Sequence, residues 1–331
     1  MIKKIAFHVI FLFMIHTCLF GHGSAYSGPY KVSAPIVLNG VHDRVISKLE
    51  ITNPDGNCIT LIDCINIVIQ NCKLGPSKGE GVSIANCSNV WVINCHLESI
   101  RTGVYALSSS GIKVVFNDVK NIVGPMPRGQ MAQFDKVTGT LNRISFNSVE
   151  NISGESAPED VISLYKSSGT EFDPIKVVGN WIRGGGPSTS GGGIMTGDRG
   201  GSYILVADNI LVNPGQYGIS VASGHDIIIR NNKIFSEKFP FTNVGLVAWK
   251  QYDIDTHSLT IMNNEINYTN NKGAINNWWN AGNCGVITGW DTNIYNPDLS
   301  AWVLPSKIIG QANHKAAKTK KSSSYYKKKK K

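Results

Sequence analysis

No segment of this 331-residue chain sustains apolar residues at spacings of three, four and seven, so a helical bundle is excluded. A leucine template of fixed spacing is also missing, which excludes a leucine-rich repeat. The one glycine-rich run, residues 183–201 with nine glycines, is no phosphate loop. It lacks the Gly-x4-Gly-Lys-Ser/Thr spacing and a following helix. Acidic residues are absent from the last seventeen positions, where nine lysines stand. The formal charge of +9 therefore misleads: without those nine and Lys3 and Lys4, 21 of the 32 basic residues remain against 23 acidic ones, a balance of −2. A nucleic-acid-binding face is not expected on such a body.

What is present favours turns. The chain holds 34 glycines and many asparagines, the residues of tight bends. At the N-terminus, Lys3 and Lys4 precede an apolar run over residues 5–20, and the small residues Gly21, Gly23, Ser24 and Ala25 follow. That order predicts a secretory signal peptide over residues 1–25 and an exported protein. The run is shorter than a bilayer requires and contains His8 and His16. Residues 312–331 lack apolar periodicity and are read as a disordered tail, a solubilising end or a tether to an anionic surface.

Between these ends the chain repeats itself. "IVIQNCKL" at residues 67–74 returns as "VWVINCHL" at residues 90–97. Taking Cys72 and Cys95 as equivalent, the marker falls at Leu49, Cys72, Cys95, Asn117, Asn147, Asn180, Asn209, Asn232, Asn264 and Asn293. Its intervals are 23, 23, 22, 30, 33, 29, 23, 32 and 29 residues. Apolar residues stand three before and two after nearly every marker, which predicts two short strands joined at a corner. A minimum period near 22 residues with longer insertions predicts a parallel β-helix of about ten turns, roughly 43 Å long at about 4.8 Å per turn. Asparagine suits a stacked corner because its amide both donates and accepts, and because it tolerates the backbone of a bend. Cysteines in the stack are expected to be buried free thiols, since β-carbons at strand spacing stand wider than a relaxed disulfide prefers.

This array, over roughly residues 36–297, resembles the right-handed parallel β-helix proteins of the pectin-lyase-like superfamily, with their asparagine ladder. The resemblance implies an all-β solenoid: residues 26–311 would form one right-handed β-helix domain with terminal caps. The fold hosts lyases, hydrolases, epimerases, adhesins and tailspikes, so function must come from the site. Neither the paired-aspartate and Gly-His-Gly pattern of polygalacturonases nor the Arg-containing motifs of pectate lyases is found.

The longer turns carry the candidate site. In related β-helices such loops wall a groove over the first sheet, PB1, and long loops on a rigid scaffold are where binding groups gather. Inward pairs expected on PB1 are Ala132/Phe134, Ile162/Leu164, Ile194/Thr196, Ile219/Val221, Leu246/Ala248 and Ile275/Asn277. Outward residues such as Gln133, Asp135, Ser163, Tyr165, Met195, Gly197, Val247, Trp249 and Trp278 would then floor the groove. Lys166, Asp198, Lys250 and Trp279 would stand at its rim, with Arg199, His225, Asp226, Gln251 and Tyr252 close by. Aromatic faces beside polar groups suit a sugar, which makes Tyr165, Trp249, Gln251, Trp278 and Trp279 candidate substrate contacts. The expected activity is cleavage of an acidic polysaccharide by β-elimination. Lys166 or Lys250 would be the base, His225 an alternative, and Arg199 would neutralise the carboxylate beside Asp198. Hydrolysis would use a pair among Asp160, Asp198 and Asp226, and a glycan-binding surface protein without catalysis would need the same groove. No cofactor is required, although Asp160 and Asp198 could support a calcium ion with loop carbonyls. The expected partner is a polysaccharide, bound by a monomer.

Overall fold

The computed structural model describes residues 26 and 28–311; the segment read as a signal peptide and the Lys-rich tail lie outside the described residues. Among those described, 28 strands wind a parallel β-helix, and only two three-residue 3-10 turns interrupt the all-β order. Strands pair in parallel with their equivalents one turn on, as Ile46 with Ile69, Val114 with Ile144 and Ile144 with Val177. Three sheets result. PB1 runs from Ile36–Asn39 to Trp278–Asn280, PB2 from His42–Ser47 to Ile287–Thr288, and PB3 from Lys31–Ser33 to Ile294–Tyr295.

Alternation builds the core. Ile69, Val92, Val114, Ile144, Val177, Val206, Ile229 and Ile261 stack inward on PB2, and Leu74, Leu97, Val119, Val149, Ile182, Leu211, Ile234 and Ile266 on PB3, all buried. Each such burial stabilises by about 1.5–3 kcal/mol.

At the corner from PB2 to PB3 the predicted ladder is present. Asn117, Asn147, Asn180, Asn209, Asn232, Asn264 and Asn293 are all buried. Each Nδ2 from Asn117 to Asn264 donates to the next Oδ1 at 2.7–3.0 Å. The same Nδ2 also donates backward to a carbonyl of the preceding turn, as Asn209 to Val177 at 2.9 Å. Each Oδ1 additionally accepts a backbone amide, so Asn180 N donates to Asn209 at 2.9 Å. Two donors and two acceptances leave nothing unsatisfied. The unusual backbone sits one residue earlier than expected. Asn71, Asn94, Phe116, Phe146, Gly179, Asp208, Asn231 and Asn263, each just before a marker, take the left-handed conformation. The ladder side chain is thus chosen for its hydrogen bonds, and its predecessor turns the chain.

In the early turns sulfur takes the corner. The thiols of Cys72 and Cys95 reach the carbonyls of Gln70 and Ile93, each at 3.4 Å, and the Cys95 amide donates to Asn117 Oδ1 at 2.9 Å. At the corner from PB1 to PB2, Cys64 N donates to Cys87 Sγ at 3.3 Å and Cys87 N to Ser109 Oγ at 3.0 Å. The six described cysteines are buried free thiols.

Loops lengthen only between PB3 and PB1 or between PB1 and PB2, as at residues 151–161, 184–193 and 249–255. Both sets flank PB1.

Candidate functional site

On the outer face of PB1, strand register stacks Asp135, Tyr165 and Asp198 on successive turns. Two turns at about 4.8 Å place the outer pair of α-carbons about 10 Å apart. Asp160 belongs to the same neighbourhood, two residues before the strand Ile162–Ser168. Each of the three carboxyl groups is held by its own tyrosine. Tyr105 Oη donates to Asp135 Oδ2 at 2.8 Å and Tyr252 Oη to Asp198 Oδ1 at 2.9 Å. Asp160 Oδ1 accepts the Tyr217 hydroxyl and, at 3.1 Å, the Gly192 amide.

Electrostatics separate these acids. Burial pushes Asp160 up to about 7, and the charges of Glu159 and Asp198 add to the rise against its two hydrogen bonds. Asp198 is also raised by burial, with Asp135 adding, while the Tyr252 hydroxyl and the Arg199 guanidinium hold it down. Tyr252 and Tyr105 are both pushed up to about 12 by burial and by the carboxylates they serve. Like charges gathered on a partly desolvated face raise one another's pKa.

Cations border the acids. Arg199 lies 4.4 Å over the Tyr252 ring, and Lys166 Nζ 5.4 Å over the Tyr165 ring. Toward the early turns Arg128 lies 4.1 Å over Tyr105 and reaches Gln133 Oε1 at 3.4 Å. At the other end Trp249 and Trp279, both exposed, tilt against each other with centroids 5.6 Å apart.

The structure therefore brings Tyr165, Lys166, Asp198, Arg199, Trp249 and Trp279 onto one face. One other candidate lies elsewhere. His225 stands on PB2, stacked on His257 at 4.8 Å and bonded to Asp226 at 2.7 Å. Lys250 is fixed by backbone bonds to Asn283, its amine 3.8 Å from Asp253. Gln251 stays beside PB1, its amide donating at 2.8 Å to the carbonyl of Ala222, which belongs to the apolar cluster of Met195, Val247 and Tyr252. The last PB1 turn also differs from expectation. Trp278 pairs with inward Leu246 and Trp279 with outward Val247, so Ile275/Asn277 is not the inward pair and Trp278 sits over the end of the core. The cause is the loop before it, where Asn277 Oδ1 accepts the Tyr268 amide and spends the residues counted as strand.

The glycine run differs too. Gly197 has φ 63, and a β-carbon there would overlap the Ser223 carbonyl of the next turn. Gly185 would likewise overlap the Pro214 carbonyl. These glycines let turns approach each other. At the two residues expected to support a calcium ion, one oxygen of each carboxyl is engaged: Asp160 Oδ1 by Tyr217 and Gly192, and Asp198 Oδ1 by Tyr252. Among the described residues no group of three or more His, Cys, Asp or Glu could hold a metal.

Tyr105, Arg128 and Tyr217 were not read from the sequence. Tyr105 was findable: it is the outward residue paired with Gln133, one turn before the first PB1 pair counted. Tyr217 and Arg128 carry no such signal, since a strand start and a loop aim them.

A family model described as "Right handed beta helix region" matches residues 35–199, just under half of the chain. The chain is similar to a tailspike protein of E. coli bacteriophage HK620 in complex with a pentasaccharide, at 10% identity and TM-score 0.45, covering 82% of this chain and 59% of that one. It is similar also to the catalytic domain of a GH87 α-1,3-glucanase in complex with nigerose, at 12% identity and TM-score 0.38, covering 78% of this chain and 50% of that one. This chain thus spans about three fifths and one half of those two chains. No curated protein matches it. The fold is a right-handed parallel β-helix.

Proposed function

We propose that this protein is an exported carbohydrate-active enzyme that hydrolyses a glycosidic bond in the PB1 groove. One observation carries the reading: carboxyl groups at Asp135, Asp160 and Asp198 meet on a single face, each on a tyrosine, and one is held up to about 7. Glycoside hydrolysis needs a protonated acid and an ionised partner side by side. Asp160, which keeps its proton toward neutral pH, protonates the leaving oxygen. Asp198, charged beside Arg199, takes a proton from the attacking water as the bond from carbon to the leaving oxygen breaks. Trp249 and Trp279 stack on sugar rings at one end, and Tyr165, Arg128 and Gln133 meet hydroxyl or carboxylate edges at the other.

β-Elimination is the second reading, favoured by Lys166 and Arg199 beside Tyr165 and Asp198. It requires an acidic polymer, whose carboxylate Arg199 would neutralise. Calcium across Asp160 and Asp198 would take the carboxyl oxygens that Tyr217 and Tyr252 leave open. The enzyme acts as a monomer, and the Lys-rich tail adds an attachment to anionic surfaces that strengthens as salt falls.

The deciding experiment screens acidic and neutral polysaccharides, reading new reducing ends and unsaturated ends separately. Reducing ends alone are expected, with turnover falling about 10²–10⁴-fold in Asp198→Asn and unchanged thermal stability. Unsaturated product selects elimination, and binding without cleavage reduces the protein to a glycan-binding surface.

A further inference from the structure

The outer faces of PB2 and PB3 treat charge differently. On PB3 cations stand beside carboxylates of neighbouring turns: Lys73 with Glu50 at 2.7 Å, Lys120 with Glu98 at 3.2 Å, Arg183 with Glu150 at 3.0 Å and Lys233 with Glu265 at 3.2 Å. On PB2 the register instead stacks Lys113, Arg143 and Lys176 directly on one another over three consecutive turns. Like charges opposite each other on a ladder are destabilising. The carboxylate bonded here, Asp173, is already occupied: Lys176 Nζ holds Oδ1 at 2.6 Å and the Leu141 amide holds Oδ2 at 2.7 Å.

The two remaining cations are not simply solvated. Arg143 Nε is buried and meets no hydrogen-bond partner. The Lys113 amine is pressed to 3.8 Å from the Trp91 ring centroid. Burial first, and the Arg143 charge second, lower its pKa to about 8. A surface lysine with room would turn its amine to water. Two half-buried cations that share the charge of one carboxylate already bonded elsewhere, one of them with an orphaned guanidinium nitrogen, have the polarity that an oxyanion completes, by charge-assisted hydrogen bonds to a planar fork and a neighbouring amine.

We propose that Lys113 and Arg143, with Lys176 stacked beside them and paired to Asp173, form an oxyanion-binding site on PB2, separate from the PB1 groove, which takes the carboxylate or sulfate of an acidic sugar. The oxyanion rests on the PB2 geometry alone; the sugar rests on the glycan reading of PB1. A nucleic acid is disfavoured by the short row and by the net charge of −2 that 21 basic and 23 acidic residues give the body.

The test uses the full chain, at matched ionic strength, with sodium sulfate, sodium glucuronate and sodium chloride in thermal-shift and calorimetric titrations. Sulfate and glucuronate are expected to raise Tm above chloride. Arg143→Gln should weaken both about tenfold, and Lys113→Gln, the second variant should the first not fold, should do the same. Asp198→Asn should leave this binding intact, so its failure and that of the groove are distinguishable. Equal shifts in all three salts, or shifts unchanged in both PB2 variants, overturn the site. Sulfate bound more tightly than glucuronate and sulfated sugars overturns the acidic-sugar assignment.

Discussion

The early turns, 22 or 23 residues apart, carry sulfur at the PB2–PB3 corner; the later ones, mostly 29–33 residues apart, carry an amide. A thiol has one weak donor, shared between its own turn and the one before, as Cys95 shares it between Ile93 at 3.4 Å and Ile69 at 3.7 Å. Asparagine ties three turns together, as Asn209 does through Val177, Asn180 and Asn232. The difference follows the loops. A turn closed by short corners keeps its register through strand pairing, whereas a turn interrupted by a long loop benefits from an additional clamp. The acidic groove stands on the clamped turns, where loops can vary without shifting the wall beneath.

The largest expected effect breaks that clamp. Asn209→Leu strips partners from the Asn180 amide, the Asn180 side chain, the Val177 carbonyl and Asn232 Oδ1. Stability measured by urea denaturation should fall by about 3–5 kcal/mol. A loss below about 1 kcal/mol would put the ladder on the same footing as the thiols.

A smaller effect comes from Asp160. Its pKa is raised on folding from 3.8 to about 7, so its contribution to stability is present below about pH 4 and lost as pH rises through 7. Relative to Asp160→Asn, the wild-type protein should therefore lose about 1–3 kcal/mol between pH 4.5 and 8.5. Parallel stability curves for the two proteins would remove the buried acid from the site. Trp249→Ala should weaken binding of the identified glycan about tenfold, or about 1.4 kcal/mol, with turnover at saturation little changed. Equal binding in a titration would detach the tryptophan end from the groove. The smallest effect, about 1 kcal/mol, is expected for Cys95→Ala, which removes a small buried group and one weak donor. A loss as large as that of Asn209→Leu would erase the contrast between the two kinds of corner.

Much of the fold was legible in the chain. Alternating apolar residues around a polar corner return at a countable interval, and strand pairing maps one turn onto the next, so Ile69 over Val92 and Asn180 over Asn209 could be written down beforehand. Local periodicity determines the solenoid because each turn contacts only its neighbours. The site was legible only where it shares that periodicity: Asp135 and Tyr165 fall in the outward register of PB1, whereas a register shift after Ser163 sets Asp198, expected at the rim, opposite Tyr165 in place of Gly197. His225 was near in sequence to the groove yet stands on PB2, because the corner from PB1 to PB2 redirects the chain within a few residues. Tyr217 on Asp160 and Tyr252 on Asp198 join residues 57 and 54 positions apart. Loop conformation and packing across turns, which no period encodes, decided those contacts. Burial, which only the assembled wall creates, set which carboxyl keeps its proton.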